Sequence, residues 1–196
     1  MHWEEIISNV NVYGLSESIK ASKYPMSVDT SLCTDEVTKR VVALGSAEKG
    51  SGHDNFTNGV IVQFDLTFTV KAWTEAERYH FLDFVSSQST MHRITKFDLD
   101  KSYIKYVDQQ IIDIMKTKVE IYNGLDDGDY KNEKYLEILY SNPCGMRLTA
   151  RMTTNYRQLK TIYSQRKNHR LPEWVAFCSW IETLPCFKEI CLSESA

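Results

Sequence analysis

The sequence predicts an α+β domain in which a mainly antiparallel sheet is flanked by helices. Three observations carry this expectation. Val60, Val62, Phe64, Leu66, Phe68 and Val70 alternate with Gln63, Asp65, Thr67, Thr69 and Lys71, the period of a strand with one wet face. Met146, Leu148, Ala150 and Met152 alternate in the same way with Arg147, Thr149 and Arg151. Around these two strands the apolar spacing is helical, and the order of elements contains no βαβ series.

Taken in order, residues 2–8, 15–22 and 34–47 read as short helices, with Pro25 and Gly45 as breaks. After the first strand, Thr74-Glu75-Ala76-Glu77 reads as a capping box that opens a helix to about residue 85. Ile104, Val107, Ile111, Ile114 and Ile121 fall at helical spacing and predict a long amphipathic helix over 103–122. A shorter helix spans 131–140 and stops before Asn142-Pro143. Thr154 or Asn155 caps the next helix, which runs to about Lys167. Pro172 and Glu173 suit the first turn of the last one, whose buried face is Trp174, Phe177, Cys178, Ile181 and Leu184.

The 196 residues are 42% hydrophobic and 25% charged, which suits one soluble domain over 1–196. Apolar runs are too short for a bilayer span, and Met1-His2-Trp3-Glu4-Glu5 is no signal peptide. Five cysteines without a Cys-x-x-Cys pair read as reduced thiols in a cytoplasm. Walker, Gly-x-Gly-x-x-Gly, Gly-x-Ser-x-Gly and His-Glu-x-x-His motifs are absent, and five scattered histidines offer no metal site.

Charge is unevenly placed. Between Cys144 and Pro172 stand seven basic residues and no acidic one; removing those seven from the net −3 leaves the rest of the chain at −10. The block suggests a phosphate-bearing partner, or else a solvated face paired with the acidic stretch 120–137. The negative total and the lack of alternating aromatic and basic residues argue against nucleic acid.

Two constellations can carry chemistry. Arg78-Tyr79-His80 and His92-Arg93 bracket Ser86-Ser87-Gln88-Ser89, a polar stretch able to meet a phosphate or a heterocycle. On the helix over 155–167, Asn155, Leu159, Ile162 and Arg166 return to one stripe. An amide and a guanidinium about 16 Å apart would suit two ends of an extended ligand. A snorkelling arginine on a half-buried helix has the same spacing.

Asn155-Tyr156-Arg157-Gln158-Leu159, with Arg166 seven residues after Leu159 and Pro143 twelve before Asn155, resembles the C-terminal signature of the flavin-dependent thymidylate synthases. Gly52-His53-Asp54 before the Phe64 strand resembles that family's Gly-His-acid turn. In the same register its Arg-His-Arg falls on Tyr79-His80-Phe81, and its nucleotide segment on residues 86–92. These blocks span about residues 50–170.

The resemblance implies transfer of a one-carbon unit from methylenetetrahydrofolate to C5 of a pyrimidine deoxynucleotide, with FAD as cofactor and NADPH as reductant. The alternative it leaves is a nucleotide-binding protein without flavin chemistry. Arg166 takes the position that polarises the pyrimidine. Gln88, Ser89, Arg93 and Arg166 would meet the nucleotide; His53, Asn55, Arg78, His80, Asn155, Arg157 and His169 would meet the cofactor. Tyr79, Phe81, Met91 and Leu139 stand where the family has cations or an arginine, so Arg93, Arg147 or Arg151 would substitute at the phosphate, and Tyr79 would stack on a ligand ring. The resemblance also implies a homotetramer with shared sites.

Overall fold

Strand alternation is realised as one antiparallel sheet of β1 (Ile7–Tyr13), β2 (Ile61–Thr69), β3 (Asp83–Ser87) and β4 (Arg147–Asn155), in the order β1-β2-β4-β3. This is a computed structural model, which describes residues 1–48 and 50–193. β2 and β4 pair along their full length, from Ile61 opposite Asn155 to Thr69 opposite Arg147. The helices are α1 (Leu15–Ala21), α2 (Lys39–Ser46), α3 (Val70–Ala76), α4 (Thr90–Arg93), α5 (Leu99–Ser102), α6 (Gln109–Asn123), α7 (Asp129–Ser141), α8 (Tyr156–Arg166), α9 (Pro172–Ile181) and α10 (Phe187–Cys191).

The even-numbered face of β2 buries Val62, Phe64, Leu66 and Phe68 completely, together with Met152 of β4 and Leu159 and Ile162 of α8. Trp174, Phe177 and Trp180 of α9 pack on Phe64 and Phe68 with ring centroids 4.5–5.9 Å apart. Each such side chain contributes about 1.5–3 kcal/mol on burial. A second apolar cluster joins α5, α6 and α7 around Met115, Ile138 and Met146. Among the described residues no helix is long and apolar enough to cross a membrane.

Four sequence expectations need correction. Residues 2–8 are a 3-10 turn, Trp3–Glu5, followed by β1. A register shift between Ser8 and Asn11, with Asn9 at φ +50°, breaks the alternation by which a strand is recognised. The capping box at Thr74 does not open a helix. Thr69 accepts the Ala72 N–H and starts α3 earlier, while the Thr74 hydroxyl donates to the Val70 carbonyl. The chain then turns at Phe81 (φ +67°) into β3, an edge strand exposed throughout and therefore without a buried stripe to betray it. The helix expected over 103–122 begins at Gln109 behind its Asp108 cap. Its first residue, Tyr103, instead bridges to Met146 and donates to Asn142. Finally, α10 was not expected at all.

Candidate functional site

α8 leaves β4 at Asn155, whose Oδ1 accepts the Gln158 N–H at 2.9 Å as an N-cap. One turn on, Arg157 and Lys160 lean over Asp54, which is only 2% exposed. Arg157 Nε stands 3.1 Å from Asp54 Oδ1 and Lys160 Nζ 3.3 Å from Oδ2. Lys160 also donates to the Gly45 and Ala47 carbonyls at the end of α2, which suits a cation at a helix C-terminus. Asp54 Oδ1 is buried yet receives no hydrogen bond among the described residues, because the Arg157 contact is an ion pair without hydrogen-bond angles. These groups and Asn155 line a cleft of about 480 Å³. His53 and Asn55 flank Asp54 on the exposed side of its turn.

The far end of α8 is more tightly wired. Arg166 Nε donates to Tyr79 Oη at 2.6 Å, and Nη1 reaches Glu75 Oε2 at 3.1 Å. The guanidinium carbon lies 4.9 Å from the Trp174 ring centroid and 5.4 Å from that of Tyr79. Glu75 Oε2 also accepts the Trp174 indole N–H at 3.2 Å, and Oε1 meets Lys71 at 3.0 Å. Burial pushes the Glu75 carboxyl upward, but Lys71, His169 and Arg166 outweigh it and hold the carboxyl below its ordinary range. His169 Nδ1 faces the Leu171 N–H at 3.1 Å, and Nε2 stands 2.7 Å from Arg166 Nη1. The same Nε2 faces Glu75 Oε2 at 3.4 Å. Arg166 Nη2 makes no hydrogen bond among the described residues. Arg166, Arg78, His80, Phe81 and Gln165 line a cleft of about 350 Å³.

The remaining sequence candidates lie elsewhere. Gln88 continues β3: its N–H donates to the Thr149 carbonyl and its Oε1 accepts the Thr149 N–H. It shares a cleft of about 270 Å³ with Trp73 and Phe84. Ser89 precedes α4 without capping it, and Arg93 is exposed at its end. Trp73 and Glu75 stand roughly 200° apart around α3. The Gln88 cleft is lined by Val70, Trp73 and Thr74 of α3 and shares no lining residue with the Arg166 cleft.

Two of the substitute cations are engaged within the protein, Arg147 also lining a cleft of about 380 Å³. Arg147 donates to the Glu5 carbonyl, and Arg151 to the Asn9 carbonyl and Asp65, so both fasten the β1 region to β4. Tyr79 is buried, edge-on to Trp174, and cannot stack on a ligand ring. Nor, among the described residues, does the basic block form ion pairs with the acidic stretch: Asp127 and Glu137 bind Lys131, Lys118 and Lys134 of α6 and α7. Sequence reasoning missed Glu75 and Trp174, which lie 91 and 8 residues from Arg166 in opposite directions along the chain. Asp54 was visible only as part of its turn.

This antiparallel sheet, with α8 crossing between two clefts, is the fold of the flavin-dependent thymidylate synthases. One such structure is ThyX of Helicobacter pylori complexed with FAD and dUMP. It is 14% identical, aligns over 93% of this chain and 96% of that chain, and has a TM-score of 0.65. A second structure of the same enzyme with FAD and dUMP gives the same identity and coverage and a TM-score of 0.66. No protein-family model matches the chain, and no curated protein matches it in sequence.

Proposed function

We propose that this chain is a flavin-dependent enzyme of the thymidylate synthase kind. It would transfer a one-carbon unit from methylenetetrahydrofolate to C5 of dUMP or a related pyrimidine deoxynucleotide, with NADPH as reductant. The observation that carries the reading is Arg166: a guanidinium fixed on three sides by Glu75, Tyr79 and Trp174, with Nη2 left over beside an open cleft. Such a donor suits the carbonyl edge of a pyrimidine, where negative charge must be stabilised for C5 to act as a nucleophile.

The residues at the other end of α8 fit a flavin nucleotide. Asp54 keeps a buried acceptor without a hydrogen bond, and Arg157 and Lys160 provide positive charge beside it. A ligand carrying both N–H donors and phosphates satisfies both. Asn155, Arg157, His53 and Asn55 would hold the group at this end, Arg78 and His80 would reach it from the Arg166 cleft, and His169 would stand behind Arg166. When bound, reduced FAD supplies the electrons that turn the transferred carbon into a methyl group.

Gln88, Ser89 and Arg93 would meet the nucleotide from a second copy of the chain, since Gln88 lines a cleft that shares no residue with that of Arg166. The edge strand β3 exposes Phe84 and Val85 for such a contact, in keeping with a homotetramer of shared sites.

The second reading, a nucleotide-binding protein without flavin chemistry, is favoured by the buried Tyr79 and the absence of both flanking arginines. Incubation with FAD, NADPH, methylenetetrahydrofolate and dUMP, read by mass spectrometry of the nucleotide, separates the two. A methylated product supports the enzyme. An unchanged nucleotide that still binds, together with no FAD binding at high micromolar concentration, supports the second reading.

A further inference from the structure

We propose that Glu75 is the positioning residue of Arg166, the group that decides which guanidinium nitrogen faces the cleft. The inference rests on reading Arg166 as the arginine that contacts the nucleotide. One carboxylate oxygen, Oε2, accepts from Arg166 Nη1 and the Trp174 indole N–H and stands 3.4 Å from His169 Nε2. The other, Oε1, is held by Lys71. Tyr79 closes the remaining side: it accepts from Arg166 Nε and donates its own proton to Gln165.

A planar guanidinium has five N–H groups in a fixed fork. With Nε and Nη1 each committed to its own acceptor and Trp174 and Tyr79 packed against the group, Nη2 has a single orientation. Removing the Glu75 charge releases Nη1 and lets the fork rotate.

Glu75→Gln keeps the side chain's size and an acceptor for Trp174, so it tests charge and orientation with little effect on packing. Two readouts are needed. The first is dUMP affinity of the FAD-loaded protein for the parent, Glu75→Gln, Arg166→Ala and the double variant. Glu75→Gln is expected to weaken dUMP at least tenfold, and the double variant to bind no worse than Arg166→Ala alone. Equal affinity of parent and Glu75→Gln, or additive losses in the double variant, overturns the proposal. The second readout is hydrogen exchange of the Arg166 Nε–H and Trp174 Nε1–H by NMR without ligand. Both are expected to be protected in the parent and to exchange faster in Glu75→Gln. Should the parent bind no dUMP, the nucleotide reading fails by itself. Exchange then decides the positioning claim: unchanged Arg166 protection in Glu75→Gln overturns it.

Discussion

The two ends of α8 solve opposite problems with the same kind of residue. At the N-terminal end, Arg157 and Lys160 pin a buried carboxylate and leave one of its oxygens without a donor. At the C-terminal end, a carboxylate pins an arginine and leaves one of its nitrogens without an acceptor. The first end is built to receive an N–H, the second to offer one. The helix between them is anchored by Leu159 and Ile162, both fully buried, so the two unfilled groups keep a fixed separation. On that complementarity, rather than on the number of cations, rests the proposal that α8 binds the ligands.

Breaking the C-terminal end should have the largest effect. Arg166→Ala is expected to lower turnover of dUMP by about 10²–10³-fold. It should also cost about 1–3 kcal/mol of stability, since Glu75, Tyr79 and Trp174 all lose a partner; urea melts measure this. A merely snorkelling arginine would add little to the core, whereas Arg166 is ion-paired with Glu75. Arg166→Lys should fail nearly as badly in turnover, because an ammonium cannot hold Tyr79 and Glu75 while presenting a third donor.

At the N-terminal end, Asp54→Asn should weaken FAD about tenfold by titration, since the amide lacks the charge that holds Arg157 and Lys160. Asn155→Ala removes a cap and should cost about 0.5–2 kcal/mol, read as a lower thermal midpoint. Asn155→Asp, which keeps the acceptor, should restore most of that loss.

Acid sharpens the comparison. The Glu75 carboxyl, faced by Lys71, Arg166, His169 and Tyr79, is held below its ordinary value. Its contribution is therefore complete above about pH 4.3 and lost as pH falls through the lower folded value. Urea midpoints of Glu75→Gln should converge on those of the parent as pH falls from 5 toward 3.

The smallest effect concerns thiols. Burial pushes Cys178 and Cys191 up to about 12, so both should resist alkylation at pH 8 while exposed Cys144 reacts.

The sequence was legible where one face of an element is buried. β2 and β4 alternate because they form the centre of the sheet, and α8 and α9 carry apolar stripes because they cover it. β1 and β3 are edges, one shifted in register at Ser8 to Asn11 and the other exposed on both faces, so neither has a period to read. The site divides in the same way. Asn155, Arg157 and Arg166 stand in a local spacing that can be counted. Their partners Asp54 and Glu75 arrive from a turn and a helix 103 and 91 residues away, and only tertiary packing brings them in. Arg147 and Arg151 show the converse: they looked free in the sequence because their acceptors, the carbonyls of Glu5 and Asn9, belong to a 3-10 turn and a strand that could not be read.

The direct test of the account is a pair of titrations, FAD into the free protein and dUMP into the FAD-loaded protein, on the parent, Asp54→Asn and Arg166→Ala. The account predicts a crossed pattern: Asp54→Asn weakens FAD about tenfold and spares dUMP, while Arg166→Ala weakens dUMP and spares FAD. Equal losses of both ligands in either variant, or a parent that binds neither at high micromolar concentration, would contradict it.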